Sequence, residues 1–97
     1  SPKGKIYCGI DLGRQEDYTV AIFMDEKGDV IEIYRERRTE WTSIIDNIVT
    51  LLKKHKASAM IEVNSIRDVV YEQIKKKYNN IDPFVTNNKS SNVEGYE

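Results

Sequence analysis

Two acidic residues stand inside short apolar runs of this sequence, and they are the residues best placed to do chemistry. Asp11 lies near the end of the apolar run 6–12, and Glu62 interrupts the apolar run 59–63. An unpaired charge in a buried strand is energetically expensive, so Asp11 needs a partner. A divalent metal ion is a natural partner, because hard cations such as Mg²⁺ prefer carboxylate oxygens.

A third acid, Asp17, follows the first apolar run across a polar loop at residues 13–16. A second apolar run at residues 18–24 comes directly after it. Two such runs around a glycine-containing loop predict a β-hairpin. Asp17 is either an accessory metal ligand close to Asp11 or a turn residue, since aspartate is favoured in turns.

The segments that must position these acids are predicted by their hydrophobic periods. Residues 30–35 alternate and predict a third strand, whereas the apolar residues from Trp41 onward recur at helical spacing. Thr39 or Thr42 is the expected N-cap of that helix. Residues 59–63 predict a fourth strand.

A second helix is expected after the fourth strand, with Ser65 as a plausible N-cap and a last short strand at residues 83–86 behind it. The predicted inward residues of this helix are Ile66, Val69, Val70, Ile74 and Tyr78. His55 belongs to a lysine-rich stretch and is expected to be a solvated helix end.

Length and composition describe one small globular domain of 97 residues, with 32% charged and 39% hydrophobic residues. No apolar run approaches the roughly 20 residues that a membrane-spanning helix needs. The formal net charge of −1 leaves any DNA binding to local patches. The single cysteine, Cys8, excludes an internal disulfide and indicates a core residue in a reducing compartment.

The predicted order β-β-β-α-β-α-β, with acids near the ends of the first and fourth strands, is the opening of a ribonuclease H-like fold, an α/β mixed sheet. A strand reached through a helix is expected to run parallel to an earlier strand. In this fold the first and fourth strands are parallel neighbours. Asp11 and Glu62 would then lie side by side at one edge of the sheet.

Four short segments together resemble the nuclease domain of the large terminase subunit of tailed phages. They are residues 9–13 (GIDLG), 17–20 (DYTV), 61–64 (IEVN) and 84–90 (FVTNNKS). The resemblance implies a DNA endonuclease that uses two Mg²⁺ or Mn²⁺ ions and cuts concatemeric viral DNA during genome packaging. It further implies that Asp11 and Glu62 are catalytic metal ligands, that Asp17 is a ligand of the second ion, and that Lys89 and Arg14 lie near the DNA.

The same resemblance implies partners and a place in the cell. The expected partners are double-stranded DNA, a terminase ATPase domain, the small terminase subunit and the portal, in the cytoplasm of the host cell. The family has a third essential acid after a further helix, whereas the only later acids here are Glu94 and Glu97. We therefore expect residues 1–97 to form an incomplete domain, with a boundary segment at 1–4 and a polar tail at 88–97.

Three alternatives remain open from the sequence. Residues 9–13 also resemble the first strand of actin-like ATPases and sugar kinases, but the bulky loop 14–17 contains two acids that would repel a nucleotide. A Holliday-junction resolvase would use the early Asp and the later Glu equally well. A non-catalytic interaction module is the third alternative, and it would show no dependence on Mn²⁺.

Overall fold

Five strands and two helices make up the computed structural model, which describes residues 4–13, 18–37 and 40–86. The order β-β-β-α-β-α-β is the predicted one. The elements are β1 (Tyr7–Asp11), β2 (Tyr18–Met24), β3 (Val30–Arg37), α1 (Trp41–His55), β4 (Ser58–Val63), α2 (Val69–Lys77) and β5 (Ile81–Val85). The predicted boundary segment and polar tail lie almost entirely outside the described residues.

The five strands form one mixed sheet in the order β3-β2-β1-β4-β5. Hairpin connections make β1, β2 and β3 antiparallel, whereas each helical connection returns the chain to a parallel strand, so β1 pairs with β4 and β4 with β5. The β2–β3 turn is closed by Asp25, whose carboxylate accepts hydrogen bonds from the backbone N–H groups of Lys27 and Asp29. The prediction that the first and fourth strands are parallel neighbours is confirmed.

Both helices pack on one face of the sheet, because their buried residues join a single apolar core with alternate residues of the strands. The largest apolar side chains of this core are fully buried and come from strands, helices and the residue directly after β1: Phe23, Leu12, Ile44, Ile48, Leu52, Ile61, Ile74 and Ile81. Cys8 is also buried there as a free thiol, and burial raises its pKa to about 12. We call the opposite side of the sheet, on which no helix of the described residues packs, the open face.

The helix starts differ from the predicted caps. The N-cap of α1 is Glu40, whose side chain makes no capping hydrogen bond, and Thr42 lies inside the helix, while Thr39 is outside the described residues. The N-cap of α2 is Asp68, whose Oδ1 accepts a hydrogen bond of 3.0 Å from the backbone N–H of Tyr71. Ser65 instead stabilises the preceding turn by accepting from the N–H of Arg67.

The later start of α2 also changes its inward face. Val70 and Ile74 are buried as predicted, but Ile66 lies in the turn and Val69 begins the helix, and both are more than 60% exposed. The helical spacing was counted from Ile66, which precedes the helix. The predictions that Ile66 and Val69 face inward were therefore wrong.

His55 is packed rather than solvated. Its side chain is 12% exposed, lies 5.0 Å from the Phe23 ring between centroids, and its Nε2 is 2.7 Å from Oε1 of Glu32. Neither helix within the described residues is long and apolar enough to cross a membrane.

Candidate functional site

Asp11 and Glu62 are direct register partners across the parallel pair β1–β4. Adjacent strands lie about 4.8 Å apart, and register partners project to the same side of a sheet. Two strands that are far apart in sequence therefore bring the two carboxylates together, as predicted. The helix α1 makes this possible, because it returns the chain so that β4 runs parallel to β1.

Both carboxylates project from the open face and are exposed to solvent. The interpretation of Asp11 as a charge in a buried strand was therefore wrong, because the helices within residues 40–86 cover β1 on the opposite side from Asp11. The argument for a cation at this site rests instead on the closeness of the two acids. Two carboxylates on neighbouring strands repel each other, and a positive ion between them removes that repulsion.

The position of Asp11 is held by the chain that follows it. Its Oδ1 accepts a hydrogen bond of 2.8 Å from the N–H of Gly13, which adopts a left-handed φ of 64°. Thr19, fully buried on β2, donates its hydroxyl to the carbonyl of Leu12 at 3.3 Å. Sequence reasoning missed this role of Thr19, and the available signal was a hydroxyl residue at a core-facing position of a strand.

One oxygen of Asp11 is thus engaged by the backbone, which leaves Oδ2 for a ligand. Among the described residues, Glu62 has no hydrogen bond or ion pair. Its register partner on β5 is Phe84, which is 56% exposed. The two acids therefore present unpaired oxygen atoms to solvent from a rigid sheet.

A shallow groove of about 470 Å³ runs along the open face beside the two acids. Its floor has a gap at Gly9, where an added Cβ would meet no atom within 4 Å among the described residues. The groove is lined by side chains that point away from the helices together with the backbone of β1: Gly9, Ile10, Asp11, Val20, Ile22, Met24, Met60, Glu62 and Phe84. Its walls are apolar, and its charged end is formed by the two carboxylates.

The donor set fits a hard divalent cation. Carboxylate oxygens suit Mg²⁺ and Mn²⁺, whereas sites rich in sulfur or imidazole would suit softer metals. No group of three or more His, Cys, Asp or Glu residues that could hold a metal occurs within residues 4–13, 18–37 and 40–86. Among the described residues, Asp11 and Glu62 are therefore the two carboxylates that could hold such an ion.

Three of the residues predicted for the site lie outside the described residues. They are Asp17, expected to be a ligand of a second ion, and Arg14 and Lys89, expected near DNA. Their roles stay predictions.

Comparison with solved structures identifies close matches in fold, although no protein-family model and no curated protein sequence matches the chain. The large terminase nuclease from thermophilic phage G20c matches with a TM-score of 0.68 at 20% identity, over 90% of this chain and 46% of that one. Its magnesium-bound structure matches with a TM-score of 0.71 at 20% identity, over 94% and 49%. Its zinc-bound structure matches with a TM-score of 0.68 at 21% identity, over 90% and 51%.

These matches establish the fold as that of a ribonuclease H-like terminase nuclease. The resemblance inferred from four sequence segments is confirmed at that level. The chain spans about half the length of the nuclease structures that it matches. Those nucleases have been solved with bound magnesium, zinc and cobalt.

Proposed function

We propose that this chain is part of a metal-dependent DNA endonuclease domain of the large-terminase type, which cuts concatemeric viral DNA during genome packaging. The observation that carries the proposal is the register pairing of Asp11 with Glu62 on the open face. The fold shared with a terminase nuclease supports it independently. The partners in this proposal are double-stranded DNA, a terminase ATPase domain, the small subunit and the portal, in the host cytoplasm.

Asp11 and Glu62 would hold the metal in this proposal, with Asp17 as a further ligand. A bound pair of Mg²⁺ or Mn²⁺ ions would activate the attacking water and stabilise the leaving oxygen in phosphodiester hydrolysis. The protein's own contribution is to fix the two carboxylates. Thr19 holds the backbone at Leu12, and the N–H of Gly13 holds one oxygen of Asp11, so the site needs little rearrangement.

The position of Glu62 argues against the nucleotide-binding alternative. An ATPase of the actin or sugar-kinase type needs backbone amides and small residues free to approach a phosphate after the first strand. Here a second carboxylate lies beside Asp11 on the same face and would repel that phosphate. A Holliday-junction resolvase would use the same two ligands, and it is distinguished by its substrate.

Cleavage of supercoiled plasmid tests the proposed function. With two protein ligands in the described site and Mg²⁺ demanding near-ideal octahedral geometry, the 97-residue chain should not nick plasmid in Mg²⁺ and should give at most a trace of nicking in Mn²⁺. Robust cleavage in Mg²⁺ by this chain would show that these ligands already suffice.

A longer gene product is the form to assay where the reading frame continues beyond Glu97. It should cut both strands in either metal with little sequence preference, and Asp11→Asn should abolish cutting without lowering the melting temperature. A preference for four-way junctions over linear duplex would favour the resolvase alternative. A longer product that is inert on both substrates in both metals would contradict the nuclease proposal.

A further inference from the structure

A cationic and aromatic cluster lies on the open face at the β2–β3 side of the sheet. The guanidinium carbon of Arg35 is 3.6 Å from the centroid of the Tyr18 ring, and that of Arg37 is 5.3 Å from it. Both distances fall within the roughly 6 Å over which a cation is attracted to an aromatic face. We call these three residues the arginine–tyrosine cluster.

The cluster is aligned with the two acids by strand register. Arg35 pairs with Val20, Val20 pairs with Asp11, and Asp11 pairs with Glu62. Register partners project to the same side, so Arg35 and the acids share the open face. Two strand spacings of about 4.8 Å put Arg35 about 10 Å from Asp11 between Cα atoms. Val20, a short side chain, is the residue between them in the register.

Arg35 is exposed and ready to bind an anion. Among the described residues, its guanidinium makes no ion pair with an acid and stacks on the Tyr18 ring. A guanidinium stacked on a ring keeps its N–H donors at its edge, where they match the oxygens of a phosphate. The stacking also restricts the long side chain in advance, which lowers the entropic cost of binding.

The spacing suits a nucleic-acid strand. A DNA strand carries one phosphate per 3.4 Å of helix axis, so about 10 Å corresponds to roughly three nucleotides. One strand could therefore contact Arg35 and the Asp11–Glu62 pair at the same time. Arg37 is the register partner of Tyr18 on β3 and lies on the side of that ring away from β1.

We propose that Arg35, held against Tyr18, binds a backbone phosphate of duplex DNA about three nucleotides from the Asp11–Glu62 pair, and so directs the DNA across the β2–β3 side of the open face. This inference rests on the proposed function, because it takes DNA as the ligand. Arg35 is a binding residue, and Tyr18 is a positioning residue that acts through Arg35.

The test is the salt dependence of binding to a short fluorescent duplex in EDTA, where no metal and no cleavage contribute. Each phosphate contact adds about 0.9 to the slope of log K against log salt concentration. Arg35→Ala should therefore lower that slope by about one and weaken binding several-fold at low salt. Lys53→Ala, which removes one exposed charge from the helix side, is the control and should leave the slope unchanged.

Variants of Tyr18 separate positioning from simple loss of structure. Tyr18→Phe keeps the aromatic ring and should bind like the unaltered chain, whereas Tyr18→Leu should weaken binding several-fold. Arg35→Lys keeps the charge but loses the planar stacked donor, so it should retain the slope with weaker binding. Unchanged melting temperatures across the set would show that the fold is intact.

Two results would overturn the inference: equal slopes for Arg35→Ala and Lys53→Ala, or no salt-dependent DNA binding by the unaltered chain. A separate measurement distinguishes failure of the proposed function. Stabilisation by Mn²⁺ should persist in Arg35→Ala and be lost in Asp11→Asn. If Mn²⁺ has no effect on any variant while the Arg35 effect on DNA holds, the metal site is wrong and the DNA contact stands.

Discussion

The two faces of the same sheet differ in how far their side chains are buried. On the helix side, alternate residues of the strands such as Ala21, Phe23 and Ile61 are completely buried under α1 and α2. On the open face, the strand residues that alternate with the buried ones are left uncovered by the described residues, and Ile33, Met60 and Phe84 are 59%, 48% and 56% exposed. The side-chain period of two in a strand is what assigns each residue to one face.

The difference shows that the residues of the core and the residues of the candidate site lie on opposite faces of the sheet. The hydrophobic contribution to folding comes mainly from the helix side, because that is where apolar area is removed from water. The open face contributes less to the core, and strand pairing places Asp11, Glu62 and Arg35 on it. Changes on the two faces should therefore have separable effects.

The largest expected effect is a loss of folding stability when the core on the helix side is changed. Ile48 is fully buried in the core, so Ile48→Ala should lower the free energy of unfolding by about 2–5 kcal/mol. The matched control is Ile33→Ala, the same change on the open face at a residue that is 59% exposed. It should cost no more than about 0.5 kcal/mol. Urea denaturation of both variants measures the contrast, and equal losses would mean that the open face is covered after all.

A smaller effect concerns an ion pair on the helix side. Hydrogen bonds from His55 first, and from Lys54 second, hold the pKa of Glu32 below its ordinary value of 4.5. The folded state therefore favours the charged carboxylate. The resulting stabilisation is present above about pH 4.5 and is lost as the pH falls through the lowered folded-state pKa.

Glu32→Gln should remove that contribution, which is less than about 1 kcal/mol because Glu32 and Lys54 stay open to solvent at the edge of the pair. The stabilities of the variant and the unaltered chain should differ at neutral pH and converge in acid. Thermal melts across the acid range make the measurement, with Glu36→Gln on the same strand as the control. A difference that stays constant into strong acid would show that the Glu32 carboxylate is not what the substitution removes.

Much of the fold follows from the sequence because its hydrophobic periods are clear. Apolar alternation at 18–24 and helical spacing after Trp41 locate β2 and α1. The pairing of Asp11 with Glu62 was also predictable, since a helical connection forces a parallel return. What this reasoning could not supply was which face of β1 would be covered, because that depends on where the helices pack.

The local details were decided by competition among polar side chains. Asp68 caps α2 instead of Ser65, since the turn before the helix uses the Ser65 hydroxyl for its own backbone. His55 looked solvated because its neighbours in sequence are lysines, but Glu32 and Phe23 reach it from the sheet. The contact of Arg35 with Tyr18 depends on the β2–β3 register. The contacts of His55 and Arg35 join residues far apart in the sequence and leave no periodic trace in it.

The central claim is that Asp11 and Glu62 form one metal site, and thermal unfolding in a series of Mn²⁺ concentrations tests it most directly. A ligand that binds only the folded state stabilises it by RT ln(1 + [L]/Kd), which is about 2.7 kcal/mol at a hundred times Kd. The melting temperature should therefore rise with Mn²⁺, and Asp11→Asn and Glu62→Gln should each abolish the rise. Glu72→Gln, an exposed acid on the helix side, should preserve it. A full rise retained in both Asp11→Asn and Glu62→Gln would contradict the claim.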